Sequence, residues 1–278
     1  MDFNTYWYLG LGSISLLFLI YLFFKTKNVK TLLLFLAIVG LGYSIEAVIY
    51  NFLHSYHYDP NIIKHDRYYD SNAGAFTSNL LSLPVASSYI AIYQLKWIGI
   101  ACITILFVGI EWLFLELNIY FHNWWKIGYT ALGLPVYFAI GKVFYRQLIH
   151  PFKKYLNKII LFFITGAISG TLHFLPIMLF SNRYYDIGWF ASKSEDTTAF
   201  AAMYFLTASL LFVVLVQFHW KHPWSKYVIS VCIISIGYLF LIGNGILHSL
   251  VWWDLPYYLL LPILVLRITE TVNKQLTL

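Results

Sequence analysis

The sequence predicts an all-α protein, a polytopic membrane helical bundle with about nine spans. We expect two parallel four-helix repeats plus an extra N-terminal helix. Three observations predict this fold. Of the 278 residues, 60% are hydrophobic and only 11% are charged, whereas an ordinary soluble domain is about 25% charged. The apolar residues form runs of about 20, the length of a helix that crosses a bilayer. Several short motifs also recur in the same order in both halves of the chain. This composition excludes a soluble globular enzyme, a disordered chain and a disulfide scaffold.

Eight apolar runs have the length and composition of spanning helices. They cover residues 6–24, 31–53, 97–119, 128–145, 159–180, 199–218, 227–247 and 249–268. The segment 75–95 is also apolar, but it holds five Ser or Thr residues, one Asn and one Pro. Its interpretation stays open between a ninth span, a re-entrant segment and an interfacial helix. The chain start lacks a basic region and a cleavage site, so we expect the first run to remain as an anchor.

The basic residues indicate an orientation, because Lys and Arg collect at cytoplasmic membrane ends. With nine spans and the N-terminus outside, 13 of the 18 Lys and Arg residues fall on the cytoplasmic side. Eight spans with the N-terminus inside place 12 there, so both arrangements satisfy the rule. The basic residues are dispersed between apolar runs, so we expect no nucleic-acid partner. Cys102 and Cys232 lie inside apolar runs and have neither disulfide nor metal spacing.

Comparison of the chain with itself predicts an internal duplication. The recurring motifs are Arg67-Tyr68-Tyr69-Asp70 with Arg183-Tyr184-Tyr185-Asp186, Lys96 with Lys226, Cys102 with Cys232, Trp124-Trp125 with Trp252-Trp253, and Pro135 with Pro262. An offset of 127 residues also places Glu46 opposite His173. We therefore expect an anchor helix and basic loop at 1–30, a first repeat at 31–158 and a second at 159–278. Two four-helix units would be parallel, related by a pseudo-two-fold axis along the membrane normal. The alternative is eight spans with fortuitous matches.

Ionisable residues within apolar spans are costly and mark candidate sites. Glu46, Glu111 and His173 each lie about 22–24 Å along a helix from the preceding cytoplasmic lysine. In a hydrocarbon core about 30 Å thick, that distance places all three in the outer half. Five further polar residues lie near the outer boundary, and they are Asn118, His122, Asn244, His248 and Asp254. The sequence therefore predicts a pocket that opens to the exterior.

Helical spacing refines this candidate pocket. Glu46 shares a helix face with Tyr50, and Glu111 is predicted to share one with Asn118 and His122. The candidate ligand-binding residues are Glu46, Tyr50, Glu111, Asn118, His173, Asn244, His248 and Asp254. A buried Glu46–His173 pair near the axis is the arrangement of a general acid and base, but it equally suits a structural role. Helix capping is the simpler interpretation for Asn118, Asn244 and His248.

Common catalytic and nucleotide motifs are missing from the sequence. It contains no GxxxxGK[ST], HExxH or GxSxG pattern, which argues against a nucleotide-driven pump and the common hydrolases. The loops that hold His54, His57, His65 and Asp66 have no spacing typical of a metal site. We therefore expect no cofactor and no metal, and we assign no catalytic residue.

One segment resembles a known family. Glu111-Trp112-Leu113-Phe114-Leu115-Glu116, followed by Tyr120, His122, Trp124-Trp125-Lys126 and Tyr129-Thr130, resembles small multi-pass membrane proteins of spore-forming Gram-positive bacteria. That family is functionally uncharacterised. The resemblance covers about 20 residues of the first half and implies a bacterial plasma-membrane protein, with no activity or site carried over. At an offset of 130, the second half departs from the pattern, with Leu241 at the place of Glu111.

Three functions remain open from the sequence. The first is a plasma-membrane protein that binds or transports a small or lipidic ligand in an outward-facing pocket. The second is an intramembrane enzyme that acts on a lipid or isoprenoid, with Glu46 or Glu111 as acid and His173 as base. The third is a structural or assembly partner of another membrane protein. All three functions require the protein to be embedded in a lipid bilayer.

Overall fold

A computed structural model describes residues 2–277 of the chain. Within those residues, nine helical segments are long and apolar enough to cross a membrane. In chain order the elements are α1 (Phe3–Thr26), α2 (Val29–Glu46) with a π-helical extension (Ala47–Phe52), β1 (Tyr56–Tyr58), α3 (Arg67–Phe76) with a π-helical segment after it (Thr77–Ser82), α4 (Leu83–Ile92), α5 (Trp97–Glu116), β2 (Tyr120–His122), α6 (Ile127–Ile149), α7 (Lys154–Phe180), β3 (Arg183–Tyr185), α8 (Lys193–Gln217), α9 (Ser225–Gly243), β4 (Leu247–Ser249) and α10 (Asp254–Thr277). The all-α bundle predicted from the sequence is confirmed.

The segment whose interpretation was open belongs to the third helical stretch that is long and apolar enough to span a membrane. It runs as one helical stretch over Arg67–Ile92, 26 residues long. Asp66 begins it, since its side chain accepts hydrogen bonds from the backbone N–H groups of Tyr68 and Tyr69, 2.9 Å each, as an N-cap does. Its serines Ser87 and Ser88 are fully buried inside the protein. The polar residues of this segment therefore pack against other helices, which makes them compatible with a span.

The chain folds as two compact units, of which the first ends at Ile160 and the second begins at Leu161. Each unit contains a two-stranded antiparallel ribbon. In the first, β1 pairs with β2, and Tyr56 lies opposite His122. In the second, β3 pairs with β4, and Arg183 lies opposite Ser249. Strands of three residues have too few positions for an alternating pattern, so the sequence did not predict these ribbons.

The two ribbons are closed by the same backbone hydrogen bonds. In the first unit, Asp59 N donates to Ile119 O (3.0 Å). In the second, Asp186 N donates to Ile246 O (2.8 Å), with both residues 127 positions farther along. Cross-strand rings also stack in both, with centroids 4.9 Å apart for His57–Phe121 and 4.4 Å for Tyr184–His248. Each ribbon ties the end of one span to the end of another, and so positions the side chains between them.

An aspartate anchors the loop after the first strand of each ribbon. The carboxylate of Asp70 accepts the backbone N–H groups of three consecutive residues, Asn61–Ile63, at 2.6–2.9 Å. In the second unit, the carboxylate of Asp196 accepts those of Ile187, Gly188 and Trp189 at 2.5–3.0 Å. A carboxylate that accepts several backbone N–H groups holds a loop strongly, because each bond is charge-assisted.

Replacing Asp70 by alanine is expected to destabilise the first unit by about 2–4 kcal/mol, because three backbone donors lose their acceptor. Asp196→Ala should have a similar effect on the second unit. Chemical unfolding in detergent micelles measures both. Asp66→Ala, which removes two cap bonds at the start of α3, should cost only about 1 kcal/mol. Equal losses for Asp66→Ala and Asp70→Ala would contradict this account of the loop.

The two Arg-Tyr-Tyr-Asp motifs do not occupy corresponding places in the two units. The first, from Arg67, begins α3, whereas Arg183–Tyr185 of the second forms β3. Asp70 of the first motif has its structural counterpart in Asp196, which lies outside the second motif. This sequence match is therefore wrong as an alignment, because a chain rich in tyrosine repeats such short strings by chance. When the two ribbons are aligned by their strand pairing, Tyr56 of the first unit corresponds to Arg183 of the second.

Candidate functional site

An aromatic cluster joins α1 to the first ribbon and to α5. Tyr8, Tyr56, Phe114 and Tyr120 are buried together. The Tyr8 and Phe114 ring centroids are 5.2 Å apart, and those of Tyr56 and Tyr120 are 5.4 Å apart. The hydroxyl of Tyr8 donates to the carbonyl of Ile119 (2.7 Å), just before β2. These contacts fix the ribbon over the ends of the helices, and they form one wall of a cavity.

The cavity lies within the first unit and has a volume of about 220 Å³. All the residues that line it precede residue 138, so it is built from one unit alone. Its walls are mostly apolar and aromatic, with contributions from Ile49, Phe107 and Trp125. Pockets for drug-sized molecules measure about 300–1,000 Å³. This cavity therefore suits a small ligand or one part of a larger ligand.

Glu46 is one of two carboxylates that line the cavity. It ends α2, and only 8% of its surface is exposed. Its Oε2 accepts a hydrogen bond from the Tyr56 hydroxyl (2.7 Å). Its Oε1 has no partner at full hydrogen-bond geometry within residues 2–277. The Asn79 amide, which donates to the carbonyl of Ala75 (3.3 Å), is also close enough to Glu46 to interact with it as a donor. A buried polar atom without a partner is costly unless a ligand supplies one.

Glu111 is the second carboxylate of the cavity. His122 Nε2 lies 2.8 Å from its Oε1, and the two side chains are 17% and 10% exposed. Its Oε2, like Glu46 Oε1, has no hydrogen-bond partner in the described part of the chain. The cavity is thus bordered by two carboxylates, each of which retains one free acceptor.

His122 reaches Glu111 by a reversal of the chain. The predicted shared helix face of Glu111, Asn118 and His122 is wrong, because α5 ends at Glu116 and His122 lies on β2. Asn118 adopts a left-handed conformation (φ 55°) at the turn, which Asn tolerates better than most residues. The turn returns the chain toward α5, and His122 meets Glu111 across it.

The lining of the cavity contains no basic side chain. Of residues 2–277, those that line it include two Glu residues but no Lys or Arg. Nor do any three His, Cys, Asp or Glu side chains in that range come together as a metal site would require. Among the described residues, the imidazole of His122, 2.8 Å from Glu111, is the basic side chain in contact with a glutamate of the cavity.

The tyrosines of the ribbon present neutral hydroxyl groups to the cavity. Burial raises the pKa of Tyr56, Tyr58 and Tyr120 well above the ordinary value. The nearby Glu46 raises the pKa of all three further through its negative charge. Tyr56 therefore stays protonated and donates to Glu46, while its ring offers a π-face. Aromatic faces beside carboxylates are a favourable setting for an organic cation.

Two π-helical segments border the cavity. Ala47–Phe52 begins directly after Glu46, and Thr77–Ser82 contains Asn79. A π-helical turn accommodates an additional residue and leaves the usual backbone pattern locally open, and such turns are frequent at functional sites. In the described part of the second unit, the helices α7 and α8 run without such a segment.

The cavity lies near the end of the first unit that carries the ribbon. Glu46 precedes the end of its span at Phe52 by six residues, about 9 Å of helix, and Glu111 precedes the end of α5 by five, about 8 Å. Both spans lead into strands of the same ribbon. The two carboxylates are therefore one to two helical turns below that end of the unit.

The other candidate residues of the first unit lie outside the cavity lining. Tyr50 packs next to it, with its ring centroid 5.9 Å from that of Tyr56, and donates to Ser71 Oγ (2.7 Å). Asn118 is exposed, and its amide donates to the carbonyl of Glu116 (3.4 Å). Tyr50 therefore supports the aromatic wall, while Asn118 forms the turn after α5.

The remaining candidates belong to the second unit. His173 and Asp254 are fully buried there. Asn244 is exposed and donates to the carbonyl of Phe240 (2.8 Å), as a residue at the end of a helix does. His248 stacks on Tyr184, and its Nε2 donates to Gly245 O (2.8 Å). None of these four lines the cavity of the first unit.

Glu46 and His173 each interact within their own unit. The partner of Glu46 is Tyr56. Tyr185 accepts a hydrogen bond from Arg183 Nη1 (3.1 Å), which leaves its own proton for His173 Nε2 at 3.3 Å. His173 is further enclosed by Tyr204, with ring centroids 4.4 Å apart. Each of the two residues thus contacts a tyrosine of its own unit. The predicted Glu46–His173 pair stays a prediction.

An internal ion pair occupies the second unit. Arg183 Nε and Nη2 donate to the two carboxylate oxygens of Asp254, 2.8 Å each, and both side chains are completely buried. The guanidinium carbon lies 3.4 Å from the centroid of the Tyr258 ring. Burial acts to lower the pKa of Arg183, but Tyr185 and Asp254 raise it more, and the net shift is upward. The guanidinium is therefore charged.

Gly74 controls the shape of the aromatic wall. A methyl group at this position would meet the Cβ and Cγ atoms of Tyr58, and the Tyr8 ring lies 3.1 Å away. Gly74→Ala is expected to displace Tyr58 and to destabilise the first unit by about 1–3 kcal/mol. Gly10→Ala is the matched control, because nothing lies within 4 Å of the added methyl group. Thermal unfolding of both variants in micelles measures the difference, and equal stability would contradict the packing.

Sequence reasoning missed the residues that lie on loops and strands. Tyr56, Tyr58 and Arg183 fall between spans, where tyrosine and arginine are ordinary surface residues. The signal that would have found them is the offset of 127 residues already marked by Glu46 and His173, because it also relates Tyr58 to Tyr185 and Tyr56 to Arg183.

Comparisons with protein-family models, with curated proteins and with solved structures return no match for this chain.

Proposed function

We propose that this protein is a multi-pass plasma-membrane protein whose first unit binds a small organic cation. The observation that carries the proposal is the pair of carboxylates, Glu46 and Glu111, each with a free oxygen on one aromatic-lined cavity. A buried polar atom without a hydrogen-bond partner is costly, so the arrangement is best explained by a positively charged ligand that donates to the two free oxygens. The exterior orientation predicted from the basic residues would expose the cavity to the outer face.

The choice of an organic cation over a metal rests on the lining. Metal ions such as Mg²⁺ and Ca²⁺ take six or more oxygen ligands, and the cavity offers two carboxylates among apolar walls. Tyr56, Tyr120 and Trp125 instead provide aromatic faces of the kind that recognise organic ammonium groups. The ligand is therefore a compact cation with an apolar part.

We further propose that the two units descend from one ancestral unit. The matched ribbon bonds and the two anchoring aspartates, Asp70 and Asp196, support this duplication. The division into residues 1–30, 31–158 and 159–278, the parallel arrangement and the kinship with spore-former membrane proteins stay predictions.

The proposal is tested by identifying what the protein carries from its membrane. Wild-type protein, the Glu46→Gln/Glu111→Gln variant and Glu116→Gln are purified in mild detergent, denatured, and their released small molecules compared by mass spectrometry. Glu116 is exposed on the same helix, so its variant is the matched control for loss of charge. We expect a cation enriched with wild type and with Glu116→Gln and depleted from the double variant. Equal cation content in all three samples would contradict the proposal.

A catalytic role is the second candidate, because Glu111 and His122 form a carboxylate–imidazole contact of 2.8 Å beside the cavity. Such pairs serve as general acid and base. This contact would replace His173 as the partner of a glutamate in the enzyme hypothesis, since His173 lies outside the cavity lining. Comparison of membrane lipids from cells with wild type, His122→Gln and a deletion tests it. A lipid change shared by His122→Gln and the deletion would favour the enzyme.

A further inference from the structure

The corresponding regions of the two units carry side chains of opposite charge, at different positions within the region. The ribbon register relates residues that are 127 positions apart. By this relation, Glu46 corresponds to His173 and Glu111 to Tyr238, so both carboxylates of the cavity are absent from the second unit. Tyr56, which contacts Glu46, corresponds to Arg183. The first unit therefore places two acids in this region, and the second unit places a cation.

Arg183 lies among the counterparts of the cavity residues. Its Nη1 donates to Tyr185 Oη (3.1 Å), the counterpart of Tyr58, and Tyr185 in turn contacts His173. Its guanidinium carbon is 5.1 Å from the centroid of the Tyr238 ring, at the position of Glu111. Tyr58 and Glu111 both line the cavity of the first unit. The guanidinium thus occupies the part of the second unit that corresponds to the cavity.

The second unit holds this guanidinium by three kinds of contact. Asp254 binds it through two parallel hydrogen bonds of 2.8 Å. Tyr185 accepts a third bond, and the Tyr258 ring lies against the planar face, 3.4 Å from its centroid. A planar guanidinium presents several N–H donors in a fixed fork and a flat face for stacking, whereas an ammonium is a compact point charge.

We infer that the cation bound by the first unit is a guanidinium, and that Arg183 is its built-in counterpart in the second unit. This inference rests on the proposed function and narrows its ligand class. A guanidinium can donate to Glu46 Oε1 and Glu111 Oε2 from different edges while its face lies against the aromatic wall. The second unit needs no ligand, because its own chain supplies the cation.

Binding to the full chain in micelles tests this class with three probes, of which the guanidinium and the urea match in size and the ammonium is smaller. They are methylguanidinium, methylammonium and N-methylurea, the last being an uncharged analogue of the first. Isothermal titration is expected to give a Kd for methylguanidinium about tenfold tighter than for methylammonium, the value of one additional charge-assisted hydrogen bond. N-methylurea should not bind measurably. Glu46→Gln/Glu111→Gln should abolish cation binding, and Glu116→Gln should retain it.

The outcomes separate this inference from the proposed function. Methylammonium binding as tight as methylguanidinium binding, and lost in the double variant, would overturn the guanidinium class and leave the cation site intact. Binding of neither cation to the wild type would overturn both. Methylguanidinium binding that persists unchanged in the double variant would also overturn both, because the site would lie elsewhere.

A second measurement addresses Arg183 itself. The Glu46→Gln/Glu111→Gln background removes cation binding by the first unit. In that background, Arg183→Ala should lower the unfolding temperature. Millimolar methylguanidinium should restore part of that loss, while N-methylurea should not. Arg183→Lys is a milder variant, because it keeps the positive charge but lacks the forked N–H donors of the guanidinium. It should lower the unfolding temperature less than Arg183→Ala does. Equal recovery with N-methylurea would overturn the assignment of Arg183 as a built-in ligand.

Discussion

Replacing Asp254 by alanine is expected to destabilise the protein by about 3–5 kcal/mol, the largest effect of any substitution considered for stability. The change leaves the Arg183 guanidinium fully buried without its carboxylate, and an uncompensated buried charge is costly. Chemical unfolding in micelles, followed by tryptophan fluorescence, measures the loss. Tyr185 and the Tyr258 ring would remain in contact with Arg183, but neither carries the opposing charge.

Two controls identify the cause of that loss. Removing both partners, as Arg183→Met/Asp254→Leu, should restore most of the stability, because a buried ion pair is worth little more than apolar residues of similar size. Lys274→Ala removes a partner of Glu270 from an ion pair in which Lys274 is 69% exposed, and it should cost less than about 1 kcal/mol. A double variant as unstable as Asp254→Ala would contradict the account of the pair.

Glu46→Gln is expected to weaken cation binding by about 10–100-fold while leaving the stability of the ligand-free protein unchanged or slightly higher. The amide oxygen of glutamine can still accept a hydrogen bond from the Tyr56 hydroxyl, as Glu46 Oε2 does at 2.7 Å. What is lost is the negative charge, and hydrogen bonds to a charged group are worth about 1.5–3 kcal/mol. Burial of an unpaired carboxylate is itself unfavourable, which explains the opposite effect on stability.

Titration of the purified variant with methylguanidinium or methylammonium measures the binding loss, and unfolding in the absence of ligand measures the stability. Glu116→Gln should change neither value, since Glu116 is exposed beyond the cavity. A Glu46→Gln variant that binds as tightly as wild type would exclude this carboxylate from the site. A large loss of stability without ligand would indicate that Glu46 serves only to hold Tyr56.

The spans were predictable because membrane helices follow from length and apolarity alone. The segment 75–95 was the exception, since its serines and Asn79 resemble a soluble segment until their burial inside the bundle is known. Glu46 and Glu111, which line the cavity, were predictable as candidate site residues for a related reason. A carboxylate in an apolar run has no ordinary structural explanation, so its presence points to a partner or a ligand.

The ribbons and their contacts were not predictable in the same way. Tyr56 and Arg183 lie in segments where their residue types are unremarkable, and only the pairing of distant strands brings them beside Glu46 and Asp254. His122 was assigned to a continuing helix because Glu111 and His122 fit helical spacing, but the turn at Asn118 places it on β2. Tertiary contacts of this kind carry no local period, so a single sequence does not reveal them.

The most direct test of the central claim is an experimental density map of the unsubstituted protein, equilibrated with the cation that co-purifies with it. We expect density for that cation inside the first unit, within hydrogen-bond distance of Glu46 Oε1 and Glu111 Oε2 and against the ring of Tyr56. We also expect that Arg183 stays paired with Asp254 in the same map. A cation bound away from both glutamates, or a neutral or anionic molecule in the cavity, would contradict this claim.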